Sequence, residues 1–251
     1  MKHAHASIPH SLNAPERALP ILAAFFEPLT ALGCAPRRVV RWLREAGVSR
    51  RQVLLDLGCG KGAVSVAAAR GIGCRVVGVD AFEPFLEAAR EGARRGGVEG
   101  LCAFRRGDVK RVGACVKGRF DAVVVLNVLP VERALPLARR WTKAGGIYVI
   151  DDAVRVAESD AYADAPTLEE AAALIERGGD RIERVHVESR AEILRRERTL
   201  YRRLERHGRK LMKAMPRRAG VIRECLAWQR EAMGELAGPI RPACWLVRRG
   251  R

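Results

Sequence analysis

The sequence lacks several features that would assign a protein to a familiar class. None of its seven cysteines forms a Cys-x-x-Cys pair, which argues against a zinc knuckle. No apolar run approaches the roughly 20 residues that a membrane-spanning helix needs. The first ten residues contain no apolar segment, so we expect no secretory signal. An odd number of cysteines without such a signal favours free thiols and a cytoplasmic location.

Acidic residues are also scarce relative to basic ones. The 251-residue chain has 46 Lys and Arg against 29 Asp and Glu, a net charge of +17. Most of the excess lies between Ser189 and Arg251. Polyanions such as RNA are the partners that a basic surface attracts. The alternative is an arginine-rich surface that is simply solvated, and composition does not separate the two.

An apolar run followed by glycines, residues 53–62, organises the rest of the chain. Val53 to Leu57 predicts a buried parallel strand, and Ala63 to Ala69 predicts a helix. A strand, a glycine turn and a helix together present free backbone N–H groups to a ligand. Glycine has no Cβ, so a ligand can lie against the backbone. The segment therefore predicts a ligand-binding loop, with glycines at Gly58, Gly60 and Gly62.

Two classes of ligand fit these glycines. Gly58-x-Gly60-x-x-Ala63 satisfies the dinucleotide pattern and keeps an NAD-dependent oxidoreductase open. Asp56-x-Gly58-x-Gly60-x-Gly62 adds an acid and resembles motif I of the class I S-adenosylmethionine-dependent methyltransferases. The ammonium of that cofactor suits Asp56, and its carboxylate suits free N–H groups. A dinucleotide gains nothing obvious from Asp56, so we favour the methyltransferase.

The resemblance implies S-adenosyl-L-methionine as cofactor, with further contacts at the ends of successive strands. Asp80 ends the second predicted strand about 20 residues beyond the glycine loop, the spacing at which an acid meets a ribose. Asp108, after the third strand, corresponds to the acid that holds adenine. Asn127 ends the fourth strand and would face the reactive methyl. The implied cofactor-binding residues are Asp56, Gly58, Cys59, Gly60, Gly62, Asp80, Ala81, Asp108, Val109 and Asn127.

The methyl acceptor is less clear from the sequence. Asn127-Val128-Leu129-Pro130 fails the Asn/Asp-Pro-Pro-aromatic motif of amino-directed nucleic-acid methyltransferases, and it looks more like small-molecule members. We therefore expect a small-molecule acceptor. An RNA methyltransferase that uses the basic segment 190–218, and a non-catalytic cofactor-binding regulator, remain alternatives. Methyl transfer depends mainly on positioning, so the catalytic residues stay unknown. Candidates for a general base are Asp151, Asp152, His186 and Tyr201.

The order of elements predicts an α/β fold. We expect a doubly wound, seven-stranded, mostly parallel sheet whose last strand is antiparallel. Residues 1–50 are predicted as a helical N-terminal extension, in which Pro15 to Pro20 is extended or a turn and Ile21 to Leu32 is a short helix interrupted at Pro28. Its helix from Pro36 to Ala46 either packs on the sheet or caps the ligand. Residues 51–251 are predicted as the methyltransferase domain, with a basic helical insert at 188–239 before the last strand. No metal site and no membrane contact are expected.

Overall fold

A computed structural model describes Leu12 and residues 14–33, 35–158, 160–236 and 238–251. The first eleven residues of the predicted N-terminal extension lie outside this range. The α-helices of the described residues are α1 (Leu22–Phe25), α2 (Pro36–Glu45), α3 (Ala63–Ile72), α4 (Glu83–Arg95), α5 (Val131–Trp141), α6 (Leu168–Glu176), α7 (Arg190–Ala214) and α8 (Ala219–Leu236). The strands are β1 (Val53–Leu57), β2 (Arg75–Asp80), β3 (Cys102–Arg106), β4 (Phe120–Val125), β5 (Thr142–Arg155), β6 (Arg181–Val187) and β7 (Ile240–Arg248).

The strands form one sheet in the order β3-β2-β1-β4-β5-β7-β6. β1 pairs in parallel with both β2 and β4, so the strand order reverses between β1 and β4. Ligands of open α/β sheets bind beyond the carboxyl ends of the strands at such a point. β7 runs antiparallel, and its end is fixed by two hydrogen bonds, from Gly145 N–H to Arg249 O and from Arg249 N–H to Gly146 O. The predicted fold class is confirmed.

The chain divides into two compact units, and the division differs from the predicted boundary at residue 50. The first unit, called the insert unit below, comprises the described residues within Met1–Thr30, Ala153–Leu168 and Val187–Pro242. The second, the sheet unit, comprises residues 31–152, 169–186 and 243–251. The predicted N-terminal extension is therefore shared between the two units.

The helix α2 belongs to the sheet unit because its apolar face is buried there. Val39, Trp42 and Leu43 are part of the same core cluster as Leu54 of β1. Leu43 and Leu54 have no solvent-exposed surface. Of the two roles considered for this helix, packing against the sheet is the one that these contacts support.

The insert unit contains the pair of long helices α7 and α8. α7 begins with a capping box, in which Ser189 Oγ accepts from Glu192 N–H and the Glu192 carboxylate accepts from Ser189 N–H. Gly208 faces α8, and a Cβ at this position would lie 3.1 Å from Leu226 Cδ1. The glycine therefore lets the two helices approach closely.

Three local predictions differ from the structure. Residues Glu16–Ile21, predicted as extended or as a turn, form a 3-10 helix in which Ala18 and Ile21 are buried. The helix predicted over residues 21–32 is reduced to α1. The sequence predicts a turn at Gly145-Gly146 before β5, but β5 begins at Thr142, because Thr142 pairs with Phe120 of β4 and both glycines bond to Arg249. Within the described residues, the helices are too short or too polar to cross a membrane.

Candidate functional site

The glycine loop after β1 is fastened to the end of β2. The N–H groups of Gly58 and Cys59 both donate to Val79 O, at 2.8 and 3.0 Å. Gly60 N–H donates to Asp80 Oδ2 at 2.8 Å, and Gly62 N–H donates to Cys59 O at 2.8 Å. These four N–H groups are thus used within the protein. The expectation that they are free for a ligand's carboxylate is corrected: here they set the shape of the loop.

Glycine is required in this loop for both conformation and space. Gly58 and Gly60 have φ values of 74° and 52°, which most residues avoid. A Cβ at Gly58 would lie 2.1 Å from Val128 Cγ2, so another side chain would collide with the loop that follows β4. The bare backbone at Gly58 therefore allows the loops after β1 and β4 to meet at the switch point.

Asp80 is a partly exposed carboxylate that two backbone groups hold in place. Oδ2 accepts from Gly60 N–H and Oδ1 accepts from Phe82 N–H, at 2.8 and 2.9 Å. Burial raises the pKa of Asp80 above its usual range, and the N–H groups of Phe82, Gly60 and Ala81 partly offset this. A carboxylate oxygen has more than one acceptor site, so both oxygens can still accept from hydroxyl groups. That donor set fits the vicinal diol of a ribose.

Asp56 lies beneath the loop and is only 4% exposed. Its Oδ2 accepts from Ser65 Oγ at 2.6 Å, and Ser65 N–H adds a second hydrogen bond. Burial raises the pKa of Asp56 from its ordinary 3.8 to about 6, although the bonds from Ser65 act in the opposite direction. Asp56 therefore anchors the first turn of α3. Because its carboxyl is buried, we expect it to attract a ligand's ammonium through its charge from beneath the loop.

Asp108 stands next to Asp80 because β3 pairs with β2. Arg106 is opposite Asp80 in the sheet, and Gly107 N–H donates to Asp80 O at 2.9 Å. Asp108 is exposed, and its Oδ1 accepts from Lys110 N–H at 2.9 Å, which caps the 3-10 helix Val109–Ala114. The acids predicted for ribose and adenine are thus brought to adjacent strand ends.

The loop after β4 is held at both ends by consecutive acids of β5. Asn127 N–H donates to Asp151 Oδ1, and Val131 N–H donates to Asp152 Oδ2, each at 2.7 Å. Among the described non-glycine residues, Asn127 alone has a positive φ, 54°. From the sequence, Asp151 and Asp152 were considered only as possible general bases. Their position at the end of the strand beside β4 could have indicated this anchoring role.

The other two base candidates have different surroundings. His186 lies on β6, which β5 and β7 separate from β4, so at about 4.8 Å per strand it is roughly 14 Å to the side of β4. Tyr201 lies on α7, where its hydroxyl accepts from Arg230 Nη2 at 2.8 Å. The guanidinium carbon of Arg230 also lies 5.1 Å from the centre of the Tyr201 ring.

Comparison with known proteins agrees with this geometry. Residues 54–146 match the family model of a methyltransferase domain. The ribosomal protein L11 methyltransferase of Dechloromonas aromatica is 36% identical over 121 residues, which cover 47% of this chain and 38% of that protein. The chain spans less than half the length of the curated relatives it matches.

Solved structures with the same fold cover almost the whole chain. YjhP from E. coli superposes with a TM-score of 0.75 at 17% identity, over 93% of this chain and 100% of that one. A SAM-dependent methyltransferase from Thiobacillus denitrificans, solved with S-adenosyl-L-homocysteine, also has a TM-score of 0.75, at 18% identity over 94% and 98% of the two chains. Together with the family match, this fold confirms the resemblance seen in the sequence.

The buried charge of Asp56 predicts a pH-dependent cost to stability. Because its folded pKa exceeds the unfolded value, the native state binds more protons between pH 3.8 and about 6, and stability falls as the pH rises through that window. Asp56→Asn keeps an acceptor for Ser65 but removes the charge. We expect it to stabilise the protein by up to about 3 kcal/mol above pH 6 and to have little effect near pH 4.

Urea unfolding at the two pH values measures this difference. Asp108→Asn is the matched control: it makes the same substitution at an exposed helix cap that Asn fills equally well, so we expect only a small effect at either pH. An Asp56→Asn effect of the same size at both pH values would contradict the account.

The anchoring role of Asp151 predicts that its two substitutions differ. Asn retains an oxygen that can accept from Asn127 N–H, so Asp151→Asn should leave the free energy of unfolding within about 0.5 kcal/mol. Asp151→Ala removes the acceptor of that exposed N–H and should cost about 0.5–1.5 kcal/mol. Chemical denaturation of both variants tests this, and equal losses would show that the carboxylate charge matters rather than the acceptor.

Proposed function

We propose that this chain belongs with the class I S-adenosylmethionine-dependent methyltransferases, on the basis of its fold and its methyltransferase-domain segment. It binds S-adenosyl-L-methionine beyond the carboxyl ends of β1, β2 and β3 and methylates a small molecule. One observation carries the cofactor assignment. Asp80, at the end of β2, is clamped by Gly60 N–H and Phe82 N–H beside a loop without side chains at Gly58 and Gly60.

Each part of the cofactor has a matching group in this arrangement. Asp80 would accept from the ribose hydroxyls, and Asp108 from the exocyclic amine of adenine, with the Val109 N–H nearby for a ring nitrogen. Gly58, Cys59, Gly60, Gly62 and Ala81 would line the path between them. Asn127 would face the methyl group, and Asp56 would influence the ammonium from beneath the loop.

The cofactor supplies a methyl group on a sulfonium, which is already activated for displacement. The protein then has to bind and orient the reactants, and correct orientation alone is worth effective concentrations of about 10⁵–10⁸ M. In this chain Asp151 and Asp152 hold the loop that ends β4, and Val128 of that loop contacts Gly58. These residues therefore control how closely an acceptor can approach the cofactor.

A small acceptor is favoured by the loop after β4. Asn127-Val128-Leu129-Pro130 has Val and Leu in place of the two prolines, and Pro in place of the aromatic residue, of the motif of amino-directed nucleic-acid methyltransferases. The curated relatives carry the name of enzymes acting on ribosomal protein L11, and this chain matches only 38% of the Dechloromonas aromatica protein. A protein acceptor, an RNA acceptor and a non-catalytic regulator are the rival functions.

The cofactor assignment predicts selective binding in a calorimetric titration. S-adenosyl-L-methionine should bind and NAD should not. Asp80→Ala should weaken the affinity about 10- to 150-fold, since a hydrogen bond to a charged group is worth about 1.5–3 kcal/mol. Glu87→Ala, an exposed acid on α4, is the control and should bind like the parent. Binding of NAD alone, or unchanged affinity in Asp80→Ala, would contradict the assignment.

The small-molecule acceptor predicts where a labelled methyl group appears. Cell extract incubated with the protein and radiolabelled S-adenosylmethionine should show label in the metabolite fraction. Asp80→Ala protein serves as the background. Label in RNA or in protein would show that the acceptor belongs to that class and is not a small molecule. Cofactor binding without any methyl transfer would favour a non-catalytic regulator.

A further inference from the structure

One face of α7 in the insert unit consists entirely of cations. At 3.6 residues per turn, a sector of about 80° of this helix contains six successive residues between positions 195 and 213. All six are Arg or Lys, and their steps of three and four residues form one row about 27 Å long, at 1.5 Å per residue. The row, called the α7 cationic row below, consists of Arg195, Arg198, Arg202, Arg206, Arg209 and Lys213.

The opposite face of α7 is buried, so the row points to solvent. Ile193, Leu204 and Gly208 are buried on that side, and Gly208 lies against α8. All six members of the row are exposed. Within the described part of the chain, one ion pair involves a member of the row. It joins Arg209 Nη2 to Glu205 Oε1 at 3.3 Å. The charges are therefore largely uncompensated.

We propose that the α7 cationic row binds single-stranded RNA through its phosphates, independently of base sequence. Guanidinium groups bind phosphate oxygens through two parallel hydrogen bonds, and five of the six residues are Arg. A straight line of charge matches one extended row of phosphates. A helix that binds in the groove of a duplex needs cations on both of its flanks, because the groove is bordered by two phosphate rows. A single row of cations therefore favours a single strand. This binding does not depend on methyl transfer.

The composition of the row also favours RNA over other anionic partners. A helix that lies in a membrane surface inserts an apolar face, and the apolar face of α7 is covered. The row contains no aromatic residue and so offers no aromatic platform for stacking bases, and sequence preference should be weak. An acidic protein remains as the competing partner, and the experiment below includes it.

Salt-dependent binding of a fluorescein-labelled oligouridylate to the full chain, followed by anisotropy, tests the proposal. Six contacts at about 0.7 each predict a slope of about −4 for log Kobs against log salt. The triple variant Arg198→Gln, Arg202→Gln, Arg206→Gln should reduce the slope to about −2 and weaken binding at low salt.

The control carries the same change of charge on another helix. Arg37, Arg41 and Arg44 are exposed on α2 at similar helical spacing, and their replacement by Gln should leave the slope unchanged. Equal losses in the two triple variants would overturn the proposal, because binding would then follow net charge alone. Stronger binding to polyglutamate or to duplex DNA than to oligouridylate would also overturn it. Circular dichroism confirms that both variants are folded.

Discussion

The arrangement of the site depends on the hydrogen bonds between the end of β2 and the loop that follows β1. Val79 O receives two N–H groups from the loop, and the Asp80 carboxylate receives a third from Gly60 while it also holds Phe82 N–H. A single strand end therefore fixes both the course of the glycine loop and the direction of the acid that would meet a ribose. Burial makes the Asp80 charge costly, and these N–H groups offset part of that cost. The same geometry explains why the loop must contain glycine, since a side chain at Gly58 would collide with Val128.

The strand pattern and the positions of the strand-end acids were predictable from sequence because both follow from short-range regularities. Apolar runs predicted β1, β2 and β4. Spacing put Asp80 at the end of the second strand, and the family resemblance put Asp108 after the third, and these two strands prove to be neighbours. What could not be predicted is which hydrogen bonds each group makes. The loop N–H groups are consumed by Val79 and Asp80, and Asp56 turns inward to Ser65. Asp151 and Asp152 anchor a loop more than 20 residues earlier in the chain. Apart from the bond between Asp56 and Ser65, which joins β1 to the first turn of α3, these partners are set by the pairing of strands and not by local sequence.

Charge is distributed by different rules in the two compact units. In the sheet unit, the acids at the strand ends each accept from a particular hydrogen-bond donor, as Asp56, Asp80 and Asp108 do. In the insert unit, cations line an exposed face of α7 with little compensation. The net charge of +17 therefore understates the local asymmetry. A surface of this kind adds a salt-dependent attraction for polyanions that is separate from the chemistry of the strand ends.

The most direct test of the central claim is a crystal structure of the protein with S-adenosylhomocysteine. The account predicts that both ribose hydroxyls donate to the Asp80 carboxylate while Gly60 N–H keeps its bond to the same group, with adenine beside Asp108. A nucleoside bound elsewhere, or an Asp80 side chain that turns away from the ribose, would contradict it.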